Sequence, residues 1–358
     1  MKIIAYFLPQ FHEIIENNEW WGEGFTEWTN IKKAKTLYST HEQPIKPLGN
    51  YYYNLLEKET MIWQTKLLEK YKIEGLCYYH YWFEGKKLLE QPAENLLKWT
   101  DIQQKFCFCW ANHTWRKTWN GTLEVLQVQN YGEEKEWDDH IKYLLPFFKD
   151  QRYIKIDGKP LFMIYDSLNI PNLEKRMEYY NEVCKKEGID GIYFITSLND
   201  IKVINKLSSN FDSIVLREPN IAISGLNFFQ KLELRIKRRI NKKYFKKPTI
   251  FDDRLIYKKS LEITKNIINK NSKIIIGSFN KWDSTPRHEK NGFVIENKNI
   301  DKFKKYLLSQ KRIMIDSGIE YMFFNAWNEW AEGMYLEPDE KNGYKYLEIV
   351  KEVVETEV

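Results

Sequence analysis

Two glutamates three residues apart, Glu329 and Glu332, stand among tryptophans in the segment FNAWNEWAEG, residues 324–333. The apolar run IEYMFF before them is typical of a buried strand, so the pair follows a strand end. On a helical turn such a pair faces one side, with Cβ atoms about 5–6 Å apart. This suits glycosidic cleavage, in which retaining enzymes place two carboxylates about 5–5.5 Å apart and apolar walls raise the pKa of one. Solvated helices also commonly carry this spacing, so the surrounding elements must decide.

Eight short segments of the sequence are predicted to form β-strands, and several are apolar at consecutive positions. Such runs are typical of parallel strands that are covered on both faces. The carboxylate pair follows the last of them. The predicted strands are Lys2–Phe7, Gly75–Trp82, Lys105–Ala111, Pro160–Asp166, Gly191–Thr196, Asp212–Arg217, Lys273–Phe279 and Glu320–Asn325.

Helical patterns or long loops separate these strands. Eight strands, each followed by a helix or a long loop, predict a (β/α)8 TIM barrel, in one domain over residues 1–358 with long βα loops. A doubly wound open sheet is the alternative, but no glycine-rich dinucleotide fingerprint follows any strand. The predicted helices include Glu59–Lys72, Glu134–Lys149, Leu173–Glu187, Leu255–Asn269 and Lys302–Ser317.

Tryptophans gather where the predicted strands end, which is where a barrel of this kind carries its active site. Sugar rings stack their C–H faces on aromatic rings, while amides and carboxylates bind the hydroxyls. The alternative, that long loops bury these rings against one another, describes a single tryptophan equally well but not ten of thirteen. The ten are Trp20, Trp21, Trp28, Trp82, Trp110, Trp115, Trp119, Trp282, Trp327 and Trp330.

The composition is that of a globular protein, with 43% apolar, 29% charged and 16% aromatic residues. The four cysteines lie in apolar segments. Cys107 and Cys109 form one close pair, but no second pair has zinc-ligand spacing, so we expect buried thiols. There is no signal-peptide pattern and no run of about 18 apolar residues, which predicts a cytoplasmic protein. No metal and no cofactor is predicted.

A strongly basic segment interrupts this composition. Between Lys231 and Lys247 the chain carries nine basic residues against one acidic residue, Glu233. Apolar residues recur there every fourth position, which predicts an amphipathic helical excursion over about 228–248. The repeating residues are Phe228, Leu232, Ile236 and Ile240.

Two interpretations of this excursion stay open. One is contact with an anionic membrane surface or a lipid-linked glycan, which would place the protein peripherally at the inner membrane face. The other, which we favour, is that the apolar stripe packs on its own domain. No recognition motif accompanies the basic residues, so nucleic acid is not a predicted partner.

Six long blocks of sequence run in order from Lys2 to about Asp339: YFLPQFHEIIENNEWWGEGFTEWTNIKKA, GLCYYHYWFEGKKLLEQP, FCFCWANHTWRKTWNG, YLLPFFKDQRYIKIDGKPLFMIY, FNKWDSTPR and AWNEWAEGMYLEPD. This set resembles the WbsX-type proteins of surface-polysaccharide gene clusters. Those proteins are related to glycoside hydrolase family 99, the endo-α-mannosidases and endo-mannanases. The resemblance implies a (β/α)8 barrel with a glycan cleft at the carboxyl ends of its strands, and an oligosaccharide or polysaccharide substrate.

The resemblance also implies roles for the two glutamates. In the hydrolase relatives, one glutamate of an equivalent E-x-x-E deprotonates the 2-hydroxyl of the sugar, which gives a 1,2-anhydro sugar. The other protonates the leaving group and later activates water. Carried onto this chain, Glu329 would be the base and Glu332 the acid/base, with retention as the net outcome.

Further residues of the strand ends and matching blocks are predicted to contact the sugar. The family pattern has acidic residues where His113 and Asn120 stand, so the bound sugar is expected to differ from that of close relatives. A packed structural role is the alternative for His12 and His80. Asp283 and Arg287 are also expected to order the seventh loop. The predicted contacts are Tyr6, Gln10, His12, Trp21, Glu27, Trp28, Tyr78, His80, Trp82, Trp110, Asn112, His113, Trp115, Trp282, Asp283, Trp327, Asn328 and Trp330.

Three functions fit these observations. We favour a retaining glycoside hydrolase or transglycosidase that acts on α-linked sugars of a bacterial surface polysaccharide. The second is a glycosyltransferase in O-antigen or capsule biosynthesis, although the sequence has no glycine-rich phosphate loop and no D-x-D metal motif for a nucleotide sugar. The third, a glycan-binding protein without turnover, would tolerate the loss of either glutamate, and both are present.

Overall fold

The computed structural model of the protein describes residues 1–357 apart from 118–123, 208, 272 and 298. Eight parallel strands close into a barrel, because the first strand pairs with both the second and the last. The predicted (β/α)8 TIM barrel is therefore confirmed. The strands are β1 Lys2–Phe7, β2 Gly75–Phe83, β3 Phe106–Trp110, β4 Lys159–Ile164, β5 Tyr193–Leu198, β6 Ser213–Leu216, β7 Ile274–Phe279 and β8 Tyr321–Asn325.

Alternate residues of each strand face the interior of the barrel. In β1, Tyr6 points inward, where its ring centroid lies 5.7 Å from that of Tyr79 and 5.5 Å from that of Phe323. Its neighbour Phe7 points outward and packs on Tyr78 at 4.2 Å. This alternation decides which side chains near a strand end can reach the opening of the barrel.

Helices cover the outside of the barrel, and the five predicted helices are present within about two residues at each end. The short connection between β5 and β6 carries a 3-10 helix, Ile201–Lys206. The four cysteines are free and buried, as predicted. The α-helices are α1 Ile15–Trp21, α2 Glu27–Lys33, α3 Lys58–Lys70, α4 Gln91–Lys98, α5 Glu134–Lys149, α6 Leu173–Lys186, α7 Asn220–Ser224, α8 Phe228–Ile240, α9 Asp253–Ile268, α10 Thr285–His288, α11 Ile300–Asp316 and α12 Lys345–Glu355.

Short strands elaborate the connections, mainly at the carboxyl ends of the barrel strands. Lys86–Leu88 folds back on β2, and Lys155–Ile156 pairs with the start of β4. The remaining short strands form three small sheets. These join Trp115–Lys117 with Glu124–Gln127, Thr249–Phe251 with Phe293–Ile295 and Trp282–Asp283, and Asn328–Glu329 with Met334–Tyr335.

Most of the basic segment lies in α8, which begins with a capping box between Asn227 and Gln230, and in the π-helical turn Asn241–Phe245 that follows it. Its apolar stripe does not pack on its own domain, contrary to the interpretation that the sequence favoured. Phe228 is 72% exposed and Ile236 is 49% exposed, whereas Leu234, on another face of the helix, is half-buried against the core. Among the described helices, none is long and apolar enough to span a bilayer.

Candidate active site

The chain after β8 turns back on itself and carries both glutamates over the barrel. Asn328–Glu329 pairs antiparallel with Met334–Tyr335, and the turn Trp330–Glu332 lies between them. Gly333 closes the turn with φ +62°, and a Cβ there would lie 2.8 Å from the Cβ of Asp283. Glycine is therefore the residue that both the backbone conformation and the space require.

A cavity of about 450 Å³ opens at the carboxyl ends of the strands, and both glutamates line it. This volume is within the range of small-molecule sites, about 300–1,000 Å³. The wall comes from the ends of β1, β2, β3, β4 and β6 and from the loops after β7 and β8. The lining residues are Leu8, Gln10, Trp21, Glu27, Tyr79, Tyr81, Ala111, His113, Thr114, Trp115, Arg116, Leu126, Tyr165, Arg217, Arg287, His288, Glu329 and Glu332.

Glu329 is the more deeply buried of the two carboxylates, with 5% of its surface exposed. Burial, and then the negative charge of Glu332, raise the pKa of Glu329 to about 7. Arg287, Arg217 and a hydrogen bond from the Tyr79 hydroxyl act against that rise in pKa. At neutral pH this carboxyl can therefore both hold and release a proton.

Glu332 has a different environment, because its side chain is 26% exposed and forms an ion pair. Arg287 donates from Nη1 to Oε1 of Glu332 at 2.6 Å, and Trp282 donates from Nε1 to Oε2 at 3.3 Å. The same guanidinium donates to Glu27 from Nε at 3.1 Å and from Nη2 at 2.5 Å. Arg287 therefore fixes the position of Glu332 against α2.

Aromatic rings form much of the remaining wall. Tyr81 meets Trp115 edge-on, with ring centroids 4.9 Å apart, and Tyr165 lies 5.7 Å from His113. Desolvation within the cavity and then the charge of Arg217 lower the pKa of His113 from its usual value. Such a wall offers apolar faces beside a few hydrogen-bonding groups, which is the composition typical of a small-molecule site.

The structure brings together both predicted catalytic glutamates and a subset of the predicted sugar contacts. Trp21 and Trp115 are the tryptophans of that subset, and both are partly exposed. The predicted residues that line the cavity are Gln10, Trp21, Glu27, His113, Trp115, Glu329 and Glu332.

The neighbours of the glutamates in sequence, Trp327, Asn328 and Trp330, are buried beneath the cavity. Asn328 joins the hairpin to β1, because Oδ1 accepts from the Leu8 amide at 2.7 Å and Nδ2 donates to the Leu8 carbonyl at 3.0 Å. The Trp330 ring stacks on Tyr335 at 3.9 Å. These side chains hold the hairpin in place and do not line the cavity.

Predicted contacts on β2 and β3 face away from the opening. His80 Nε2 lies 2.9 Å from Nε2 of His140 on α5, and Trp82 donates to Glu136 at 2.7 Å. Trp110 is fully buried beside them, and its indole donates to the Trp82 carbonyl at 3.2 Å. Tyr78 shares this outer face and donates to Gln104. Burial lowers the pKa of His80 to about 3, so this imidazole is neutral.

The other predicted contacts also lie outside the cavity wall. Asn112 bridges β3 to Asp166, donating to its carbonyl at 2.6 Å and accepting from its amide at 2.9 Å. Asp283 accepts from Gln43 and Thr285 and lies 3.0 Å from His41, which orders the seventh loop as predicted. Trp119 and Asn120 lie outside the described residues. The remaining members of this group are Tyr6, His12, Trp28 and Trp282.

Several lining residues were not predicted as sugar contacts, chiefly Tyr79, Tyr81, Tyr165, Arg217 and Arg287. The two-residue period of a β-strand could have identified two of these residues from the sequence. In the stretch YYHYWF, Tyr79 and Tyr81 alternate with the predicted contacts and take the opposite, inward face. Within the part of the chain that is described, no group of three or more His, Cys, Asp or Glu side chains is arranged to hold a metal ion.

Comparisons with known proteins agree with this architecture. A family model described as Glycosyltransferase WbsX matches residues 3–350. Two relatives from strains of Xanthomonas campestris pv. campestris, both described as uncharacterized protein WxcX, are 27% identical over 98% of the chain. The chain spans about half the length of these relatives, 49% in each case.

Solved structures with the same fold are more distant in sequence. A GH99 endo-alpha-mannosidase from Bacteroides thetaiotaomicron is 14% identical, with a TM-score of 0.59 over 98% of this chain and 96% of that one. A glycoside hydrolase-like protein is 12% identical, with a TM-score of 0.63 over 99% of this chain and 94% of that one. At these identities the likeness concerns the fold.

Proposed function

Because the chain belongs to the WbsX glycosyltransferase family, a family of carbohydrate-active enzymes, we propose that it cleaves or transfers α-linked sugars through Glu329 and Glu332. The substrate in this proposal is an oligosaccharide or polysaccharide of the bacterial surface. The observation that carries the proposal is that Glu329 and Glu332 line one cavity and have unequal surroundings there. Acid and base roles commonly fall to titratable groups whose environments separate their pKa values.

The proposed reaction has two steps. In the first, ionised Glu329 removes the proton of the 2-hydroxyl while O2 forms a bond to C1 and the glycosidic C1–O bond breaks. Protonated Glu332 gives its proton to the leaving oxygen, so the products of this step are a 1,2-anhydro sugar and a free hydroxyl. In the second, Glu332 takes a proton from the incoming hydroxyl as the oxygen of that hydroxyl bonds to C1 and the C1–O2 bond breaks, and Glu329 returns a proton to O2. The net outcome is retention.

This mechanism accommodates both hydrolysis and transfer, because the two differ only in the incoming hydroxyl. Water gives hydrolysis, whereas a sugar hydroxyl gives a transglycosidase. A glycosyltransferase that uses a nucleotide sugar is the second candidate, which the description of the family favours. The glutamate pair favours the first, since a nucleotide leaving group needs little help from an acid.

A product screen separates these candidates. Wild type, Glu329→Gln and Glu332→Gln are incubated with a panel of α-linked bacterial oligosaccharides, with and without nucleotide sugars and a lipid-linked acceptor. Products are identified by mass spectrometry. We expect shorter or rearranged glycans without any nucleotide sugar, lost in both variants. Longer glycans that form only with a nucleotide donor would overturn the proposal in favour of the transferase.

A separate observation bears on where this reaction takes place. The exposed stripe of α8 includes Leu232 and Ile236. The opposite side of the helix contacts the domain, because Lys231 donates to the Ser224 carbonyl at 2.6 Å and the Arg238 guanidinium lies 5.2 Å from the ring centroid of Phe293. The stripe therefore faces away from the barrel and continues past the helix end. Its most exposed members are Phe228, Phe229, Tyr244 and Phe245.

We propose that this stripe and its basic flanks lie on an anionic membrane surface. Residues 231–247 carry nine basic side chains and one acidic one. A second copy of the chain would bring the same charge to this face and be repelled, whereas anionic lipid complements it. Apolar and aromatic side chains on one face with Lys and Arg around them are typical of helices that lie in the bilayer interface.

Vesicle co-sedimentation tests this contact. We expect binding to vesicles of phosphatidylglycerol and phosphatidylcholine, little binding to phosphatidylcholine alone, and weakening by salt. Ile236→Ser should lower the partition coefficient about tenfold and Arg239→Gln about fivefold. Ile315→Ser and Arg312→Gln are matched controls on α11, where both side chains are exposed, and should bind like wild type.

Two results would contradict the membrane contact. The first is equal partition of wild type and Ile236→Ser into the anionic vesicles. The second is a stable dimer that Ile236→Ser dissociates, measured by light scattering, because the stripe would then be covered by a second copy.

A further inference from the structure

Arg217 is a buried cation in the cavity wall that interacts with the more distant charge of Glu329 but forms no ion pair among the described residues. It follows β6 and is 8% exposed. Nη2 donates to the Tyr79 hydroxyl at 2.8 Å, and the guanidinium lies 4.9 Å and 4.7 Å from the ring centroids of Tyr6 and Tyr165. Across the described residues, no carboxylate oxygen lies within 4.0 Å of its nitrogen atoms. Nη1 is buried and has no hydrogen-bond partner among those same residues.

Burial of this guanidinium is unfavourable unless a ligand supplies acceptors for its unpaired N–H groups. Taking a charge out of water is costly, and the attraction of aromatic faces offsets only part of that cost. The Tyr79 hydroxyl satisfies one N–H and leaves the two of Nη1 unused. A ligand with a negative charge would pair with these N–H groups, and the buried setting would strengthen that hydrogen bond.

The other two arginines that line the cavity differ in whether they have a carboxylate partner. Arg287 already serves two carboxylates, Glu27 and Glu332. Arg116 lines the same cavity, is more exposed, and likewise has no carboxylate within 4.0 Å in the described part of the chain. Of the three arginines among the described lining residues, Arg116 and Arg217 thus have no carboxylate in ion-pair contact and can pair with a negative charge on a ligand.

We propose that Arg217, with Arg116 nearer to solvent, forms a subsite for a carboxylate-bearing sugar such as a uronic acid. The planar fork of a guanidinium matches a planar carboxylate, which a neutral sugar lacks. This inference deepens the proposed function, since it assumes that the cavity takes a glycan. It assigns that glycan to the acidic polysaccharides.

Binding of an acidic disaccharide and its neutral counterpart tests the subsite. The probes are a thio-linked α-glucuronosyl-mannose, which cannot be cleaved, and the same disaccharide after reduction of its carboxyl to a primary alcohol. Isothermal titration calorimetry with wild-type protein should give at least about tenfold tighter binding of the acidic probe, as expected for a charged hydrogen bond. The preference should fall as salt is added, though less than for a surface pair.

Variants assign the preference to the side chain. Arg217→Gln should bind both probes within about threefold of each other, whereas Arg217→Lys should keep part of the preference because the charge remains. Arg312→Gln, an exposed arginine on α11, should keep all of it. Circular dichroism and the melting temperature establish that each variant is folded.

Equal binding of the two probes by wild type, or an undiminished preference in Arg217→Gln, would overturn the inference. Arg217 would then serve only to polarise Tyr79 beside Glu329. Failure of the proposed function gives a different pattern, in which the acidic probe binds selectively but no oxygen-linked glycan is cleaved or transferred. Turnover of neutral glycans alone would leave the proposed function standing and remove the acidic subsite.

Discussion

Glu329 and Glu332 belong to one short segment, but the groups around them differ. Glu329 is enclosed, with the Tyr79 hydroxyl and two arginines near it, whereas Glu332 reaches solvent and is bound by Arg287. At neutral pH, Glu329 of the unliganded protein is therefore present in both its protonated and its ionised form. Our mechanism uses the ionised form of Glu329, and the fraction of this form grows as the pH rises.

Amide variants test the two roles directly. Glu329→Gln and Glu332→Gln should each lower kcat by about 10²–10⁴-fold, because an amide neither titrates nor carries charge. Glycan binding should stay within about tenfold, since the shape is retained. An α-glycosyl fluoride with azide as acceptor needs no acid or base at the leaving and incoming groups, so this substrate should restore turnover in Glu332→Gln and not in Glu329→Gln.

The matched control for that pair is Glu348→Gln, an exposed glutamate on α12. It should behave as wild type with every substrate. Restoration of turnover in Glu329→Gln instead of Glu332→Gln would exchange the two roles.

The pKa of Glu329 gives a prediction with a definite sign. As the base, Glu329 must be ionised, so kcat/KM should rise with pH through about 7, the pKa of this carboxyl. The charge of Glu332 raises that pKa, and its removal in Glu332→Gln should therefore lower it. A carbon-13 NMR titration of the Glu329 carboxyl would show the change, and an unchanged or higher pKa would contradict it.

At the scale of elements, the hairpin after β8 is supported from below. Trp330 donates to Glu337 at 2.7 Å, and Glu337 also accepts from Tyr53 at 2.8 Å and from Gln64 at 2.8 Å. Burial raises the pKa of Glu337 to about 7, and these three donors oppose that rise. The tryptophans beside the glutamates in sequence are thus structural parts of the hairpin, while those of the cavity come from other loops.

Trp330 and Trp21 make a matched test of this division. Trp330→Ala should destabilise the protein by about 3–5 kcal/mol, because it leaves a large cavity and removes a donor from Glu337. Trp21→Ala, at a partly exposed position in the cavity wall, should change stability far less and weaken glycan binding by about 0.5–1.5 kcal/mol. Urea denaturation and calorimetry measure the two effects, and a small loss of stability in Trp330→Ala would contradict the assignment.

At the scale of the whole molecule, α8 and the cleft share one end of the barrel. Arg238 of α8 lies over Phe293, Phe293 stacks on Trp282 at 5.6 Å, and Trp282 donates to Glu332. A membrane contact through α8 would therefore hold the rim of the cavity close to the lipid surface. A glycan that is attached to lipid would then be within reach of the site.

Buried carboxyls outside the cavity make the stability of the molecule depend on pH. Glu218 is 1% exposed and accepts from the Ala222 amide at 3.2 Å, and burial raises its pKa to about 7. A raised pKa in the folded state means that ionisation destabilises the fold, from the unfolded pKa near 4.5 upward and in full above pH 7. Other titratable groups change the stability with pH in the opposite direction. The difference in stability between Glu218→Gln and wild type therefore isolates the contribution of Glu218.

Glu218→Gln should therefore gain stability relative to wild type as the pH rises from 4 to 8. The gain expected from the two pKa values is about 3 kcal/mol. Urea unfolding at several pH values measures it, with the exposed Glu348→Gln as the control that should show no trend. A difference from wild type that stays constant with pH would show that Glu218 does not carry this titration.

Sequence alone determined the strands, the order of the elements and the position of the glutamate pair, because these depend on local patterns. The patterns are apolar runs of four to eight residues, helical periodicity and a turn rich in tryptophan. Each of them is formed by residues that lie close together in the chain. It also determined the basic character of α8. The interpretation that failed concerns the orientation of α8, because its sequence pattern did not reveal which side of the helix faces the barrel.

Only the tertiary structure decided which residues share the cavity. Tyr78, His80 and Trp82 are as aromatic as Tyr79 and Tyr81, and a shift of one residue along β2 moves a side chain from the barrel interior to the helix layer. The closed barrel also brings Arg217, which follows β6, to the same cavity as Glu329 of the last hairpin, across more than 100 positions of the chain. Such a meeting depends on closure of the sheet, which no local pattern encodes.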